Sequence, residues 1–85
     1  MCTYRTELVT LSESSGKGAD GWFSVTDATV YFDHPVHAPV DHSLNIDFRN
    51  PAGGPSARVA VELSEESARA LVAAIQATLD AGNGH

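Results

Sequence analysis

Leu44-Asn45-Ile46-Asp47-Phe48 alternates apolar and polar residues at every step. Successive side chains of a strand point to opposite faces, so a period of two puts Leu44, Ile46 and Phe48 on one side and Asn45 and Asp47 on the other. Arg58-Val59-Ala60-Val61-Glu62-Leu63 repeats the pattern, with Val59, Val61 and Leu63 as its apolar row. Between the two runs, Asn50-Pro51-Ala52-Gly53-Gly54-Pro55 reads as a turn. Upstream, Thr29-Val30-Tyr31-Phe32 is β-branched and aromatic, and Gly21-Trp22-Phe23 leads into it. Thr3 to Leu11 reads as a first strand, and Ser12-Glu13-Ser14-Ser15-Gly16-Lys17-Gly18 as a turn or flexible loop. Downstream the period changes. Ala68, Leu71, Val72, Ile75 and Leu79 form one stripe at helical spacing. Ser64 is placed to cap that helix, and Glu65 and Glu66 sit where the helix dipole favours negative charge.

These readings predict a single α+β domain over residues 1–85. A small antiparallel β-sheet of three to five strands spans about 3–63 and one C-terminal α-helix about 64–80, with residues 82–85 as a fraying tail. Short connections favour a meander. The helix is expected to pack on one face, burying Leu71 and Ile75. The other face would carry Tyr31, Asp33, Asn45, Asp47, Arg49, Arg58 and Glu62.

The chain has 85 residues and a formal net charge of −6, from five Lys+Arg against 11 Asp+Glu. Its cations are scattered, so neither nucleic acid nor an anionic membrane is an expected partner. No apolar run is long enough to span a bilayer and the start lacks the apolar region of a signal peptide, so the cytoplasm is the expected compartment. Cys2 is the only cysteine, which excludes an internal disulfide. A domain of this size buries little of its surface. It therefore leans on a metal, an efficient core or a second copy, and a homodimer is expected.

The concentrated chemistry lies in Asp33-His34-Pro35-Val36-His37-Ala38-Pro39-Val40-Asp41-His42, which holds three of the four histidines. By strand parity, His34 continues the row of Val30 and Phe32, and His42 the row of Leu44, Ile46 and Phe48. In a hairpin the two rings would lie close across the strands. Pro35 and Pro39 bias the loop toward polyproline II geometry, which would bring His37 to the same side as His34. Three converging imidazoles suit a divalent transition metal, zinc above all, with a position left open for water or substrate. Asp33, Asp41 and Cys2 are candidate fourth ligands or partners orienting a ring. Solvated loop histidines are the competing reading.

Other constellations carry less. Ser14-Ser15-Gly16-Lys17-Gly18 lacks the spacing and the terminal Ser/Thr of a phosphate loop. Cys2 would gain a free amine if Met1 were removed, but a small buried hydrophobe is the favoured reading. Asp47, Arg49, Arg58 and Glu62 read as a solvated ion-pair ladder. Trp22 and Tyr31 are candidates for a pocket or an interface.

Met1-Cys2-Thr3-Tyr4, Gly16-Lys17-Gly18, Gly21-Trp22-Phe23, Tyr31-Phe32-Asp33-His34-Pro35, His37-Ala38-Pro39, His42, Leu44 to Phe48 and Ala57 to Leu63 together resemble a family of short bacterial proteins, mainly from actinomycetes, of unknown function. The resemblance covers nearly the whole chain. It implies a stand-alone domain and assigns no catalytic residue. The leading functional expectation is a small metal-binding domain with a site at His34, His37 and His42, and with metal-assisted chemistry on a small molecule as an extension. The alternative is a metal-free homodimeric interaction domain, and a third is a small-molecule binder beside Trp22, Tyr31 and the histidines.

Overall fold

The computed structural model describes residues 5–82. Four strands, β1 (Thr6–Gly18), β2 (Gly21–Asp33), β3 (Ser43–Arg49) and β4 (Arg58–Leu63), are followed by one helix, α1 (Glu65–Gly82). The sheet order is β1-β2-β3-β4 and every pairing is antiparallel, so the chain is a meander of the expected class. No described helix is long and apolar enough to cross a membrane.

Register follows the alternation. Phe32 pairs with Leu44 and Leu44 with Leu63, while Val30 pairs with Ile46 and Ile46 with Val61. One face of β2–β4 is therefore a continuous apolar field. The other carries the rows Tyr31–Asn45–Glu62 and Asp33–Ser43 with Asp47, Arg49 and Arg58, as the parity requires. Between β3 and β4 the Asn50 side chain accepts from Ala52 N–H at 3.1 Å and starts a short 3₁₀ turn over Pro51–Gly53.

Ser12 to Gly18 is not a free loop. It is the second half of β1, paired residue by residue with Gly21 to Val25 as far as Ser14, and the reversal falls at Ala19-Asp20. Low strand propensity misled the sequence reading here, and pairing with the aromatic start of β2 overrides it. The register shifts between Thr10 and Ser14, and Glu13 there adopts the left-handed region (φ 51°), which marks a bulge. Beyond the bulge β1 bends back toward β4. A β-carbon on Gly18 would lie 2.7 Å from the Ser56 carbonyl oxygen and 3.1 Å from the Phe23 ring. Val25 (4% exposed) is buried beneath this curl, where Leu11, Phe48 and Val59 line the same hollow.

The helix starts as expected. Ser64 Oγ accepts from Ser67 N–H at 3.1 Å, and Arg69 pairs with Glu65 one turn away at 2.8 Å. It runs to Gly82. Its packing departs from expectation. Only Ser64 separates β4 from α1, so the helix springs from the sheet's edge and stands mainly over β3 and β4. Leu71, Val72, Ile75 and Leu79 remain 41%, 66%, 52% and 56% exposed, so Leu71 and Ile75 are not core residues of a single chain. Among the described residues the buried apolar set is Val25, Ala28 and Ala57.

The curl makes a prediction. Gly18→Ala should destabilise the fold by about 1–3 kcal/mol, the usual cost of overpacking. Gly82→Ala, whose β-carbon meets nothing within 4 Å, should be nearly neutral. Denaturant unfolding of both variants checks it. Equal midpoints would mean that β1 does not close on β4.

Candidate functional site

The loop between β2 and β3 is held at three points, and each uses a different chemistry. At its start, the His34 backbone N–H donates to Asp33 Oδ1 at 2.7 Å. At its end, His34 Nδ1 meets the Asp41 carbonyl oxygen at 2.9 Å. A carbonyl can only accept, so Nδ1 carries the proton and Nε2 of the neutral ring keeps its lone pair. In the middle, three successive backbone N–H groups, those of Val36, His37 and Ala38, converge on the Glu62 carboxylate of β4. These bonds hold the Glu62 carboxyl below the ordinary glutamate range, with the Val36 bond contributing most.

Two of the three loop histidines come together. The His34 and His42 rings stack with centroids 4.7 Å apart, and His42 stacks in turn on Phe32 at 5.9 Å. Both rings extend the apolar rows of β2 and β3, which is where parity puts them. His37 is not part of this group. Glu62 sits on the polar face, and by drawing in the backbone of 36–38 it carries His37 to that face, where His37 lines a cleft with Tyr31, Asn45, Asp47, Arg58 and Glu62. The convergence of three imidazoles is thus corrected to a pair. The Glu62 anchor, which lies 24 to 26 residues away in sequence, decides where His37 goes. No cluster of three or more His, Cys, Asp or Glu among the described residues is arranged to hold a metal ion. Asp33 and Asp41 act here through the bonds to His34. Cys2 lies outside the described residues.

Two concavities flank the sheet. On the apolar face, Val30, Phe32, Leu44, Ile46 and Leu63 face Ala68, Leu71, Val72 and Ile75 across an open groove of about 540 Å³, with Glu65 and Arg69 at its rim. On the polar face, the His37 cleft has a volume of about 530 Å³. In it Arg58 Nη2 donates to Asp47 Oδ1 at 2.9 Å, and the Tyr31 hydroxyl lies 3.5 Å from Asp47 Oδ2. Burial and the neighbouring Asp47 raise the Tyr31 phenol above its ordinary value, while Arg58 opposes them. Deeper in the same face, Ser43 Oγ donates to Asn45 Oδ1 at 2.6 Å, and both residues are buried. Trp22 is 71% exposed at the far end of β2 from Tyr31 and the histidines, so it shares no pocket with them.

The loop anchor has a pH signature. A carboxyl whose folded value is depressed supplies stability above the ordinary carboxylate range, and loses it as pH falls through the folded value. Acidification should therefore release the loop before the sheet melts. Glu62→Gln should do the same at neutral pH, with amide exchange at Val36, His37 and Ala38 accelerated at least tenfold. Protection that is unchanged in Glu62→Gln would contradict the anchor.

Comparisons with known proteins agree with the likeness seen in the sequence. Neither the curated proteins nor the solved structures contain a match to this chain. A family model matches residues 1–85, its full length, and carries the description "Family of unknown function (DUF6295)". The chain belongs to that family.

Proposed function

We propose that this chain works as a homodimeric interaction domain whose subunit interface is the open groove between α1 and the apolar face of β2–β4. The observation that carries this reading is the uncovered surface. The chain exposes 6200 Å² for a mass of 9.0 kDa. A folded monomer of that mass exposes about 4,850 Å². The excess of roughly 1,300 Å² belongs to the chain as a whole, and Leu71, Val72, Ile75 and Leu79 are the part of the exposed surface that forms one apolar face. Location supports the same reading, because Leu71, Val72, Ile75 and Leu79 lie on one side of the helix, next to the apolar groove. A contiguous apolar patch of this kind marks an interaction surface in soluble proteins. A second copy is the occupant with a matching surface by construction, since a twofold pairing sets the same patch against itself.

A second reading, binding of a divalent metal such as zinc, rests on the His34–His42 pair. Asp41 fixes the His34 tautomer with Nε2 facing away from the carbonyl, which is the arrangement in which imidazole ligates. One chain offers two stacked imidazoles, which would have to turn to share a metal, and a full shell needs more, from Asp41, from solvent or from the other subunit. Zinc titration should perturb the ring resonances of His34 and His42 and leave those of His37 unchanged. Equal perturbation of all three rings would count against the pair as a site.

The dimer is tested by light scattering. The wild-type protein should return twice the chain mass, and Val72→Arg, which sets a charge in the groove at an exposed helix position, should return the monomer mass or a partly unfolded chain. Wild-type protein at the monomer mass at all practical concentrations would overturn the proposal.

A further inference from the structure

We propose that the polar cleft beneath the histidine loop binds a small carboxylate bearing an amino or hydroxyl group on the adjacent carbon. Unfilled valences lie side by side in this cleft. Arg58 uses one of its five guanidinium N–H donors, on Asp47 Oδ1, and its side chain is 52% exposed. Its remaining donors form a planar fork suited to a carboxylate. Asp47 is only 17% exposed, and its Oδ2 has a single contact, the Tyr31 hydroxyl at the long distance of 3.5 Å. A carboxylate oxygen with only this long bond has room for a closer donor. The cleft therefore presents an anion acceptor and a cation acceptor on neighbouring atoms, and an α-amino or α-hydroxy acid carries the complementary pair on neighbouring atoms.

The rest of the cleft fits such an occupant. Once a ligand amine or hydroxyl takes Asp47 Oδ2, the Tyr31 O–H that donates there at 3.5 Å can turn to a ligand oxygen, and burial and Asp47 keep the phenol protonated. The roof is held rather than floppy, because Glu62 ties down Val36, His37 and Ala38. The same bonds occupy the Glu62 carboxylate, so it competes little for Arg58. His37 stands at the roof as a further group able to meet the ligand carboxylate. The volume, about 530 Å³, lies within the range of small-molecule sites and leaves room for a side chain on the ligand. The cleft is on the opposite face from the apolar groove, so this inference stands whether or not the chain dimerises there.

The test is a titration of the full-length ¹⁵N-labelled protein with L-alanine, L-serine and L-lactate, with acetate and ethylamine as controls that each carry half of the recognised pair. At least one of the three acids should give saturable shifts at His37, Asn45, Asp47 and Arg58, and each control should bind at least tenfold more weakly. Arg58→Lys, which keeps the ion pair with Asp47 and loses the fork, should weaken binding at least fivefold, and Tyr31→Phe by a smaller factor. If Arg58→Lys proves unstable, Tyr31→Phe and the two controls still decide the matter. An absence of saturable shifts up to about 10 mM, well above a Kd of about 1 mM, would overturn the proposal. So would acetate binding as tightly as the acids, or Arg58→Lys binding as tightly as the wild type.

Discussion

The structure turns on one imbalance: the sheet and helix together present more apolar surface than they fold against each other. β2, β3 and β4 lay Val30, Phe32, Leu44, Ile46, Val61 and Leu63 in register on one face. The curl of β1 covers one end of that field, over Val25, Phe48 and Val59. The helix stands over the other end without closing on it. Hydrophobic burial is the main favourable contribution to folding, and it scales with apolar area removed from water. A chain that leaves its helical stripe half in water forgoes much of that contribution, and a second copy is the simplest way to recover it.

The two faces divide the chemistry. The apolar face ends in the Phe32–His42–His34 stack. The polar face ends in the Glu62 anchor and the cleft containing Tyr31, Asp47 and Arg58. A single loop closes both, and the two anchors explain how. The Asp41 carbonyl keeps His34 with the apolar rows, while Glu62 pulls the backbone of Val36 to Ala38 to the other side. One loop therefore keeps His34 with His42 and sends His37 to the other face.

How much of this was legible in the sequence depended on the range of the interaction that decided each part. Strict alternation in Leu44–Phe48 and Arg58–Leu63, and the helical stripe after Ser64, are local patterns, and they predicted the sheet faces, the meander and the helix. Parity carried as far as His34 and His42, because both sit one step beyond a strand. Polyproline geometry did not place His37, whose position is set by a carboxylate on a strand that does not adjoin the loop in sequence. Turn composition misread Ser12–Gly18, where polar and glycine-rich residues form a strand because Gly16 and Gly18 let β1 pass close to Phe23 and Ser56. A glutamate at the end of β4 and two glycines at alternate positions were signals in plain view. Neither has a local meaning, so neither was readable without the fold.

The most direct test of the central claim is the melting temperature of the wild-type protein as a function of its concentration. If the open apolar face is completed by a second copy, folding is coupled to association, and dilution weakens it by mass action. A hundredfold dilution should then lower the melting temperature by about 5–10 °C. A melting temperature that stays constant over that range, with a cooperative transition at both ends, would mean that the single chain closes its own core, and would contradict the account.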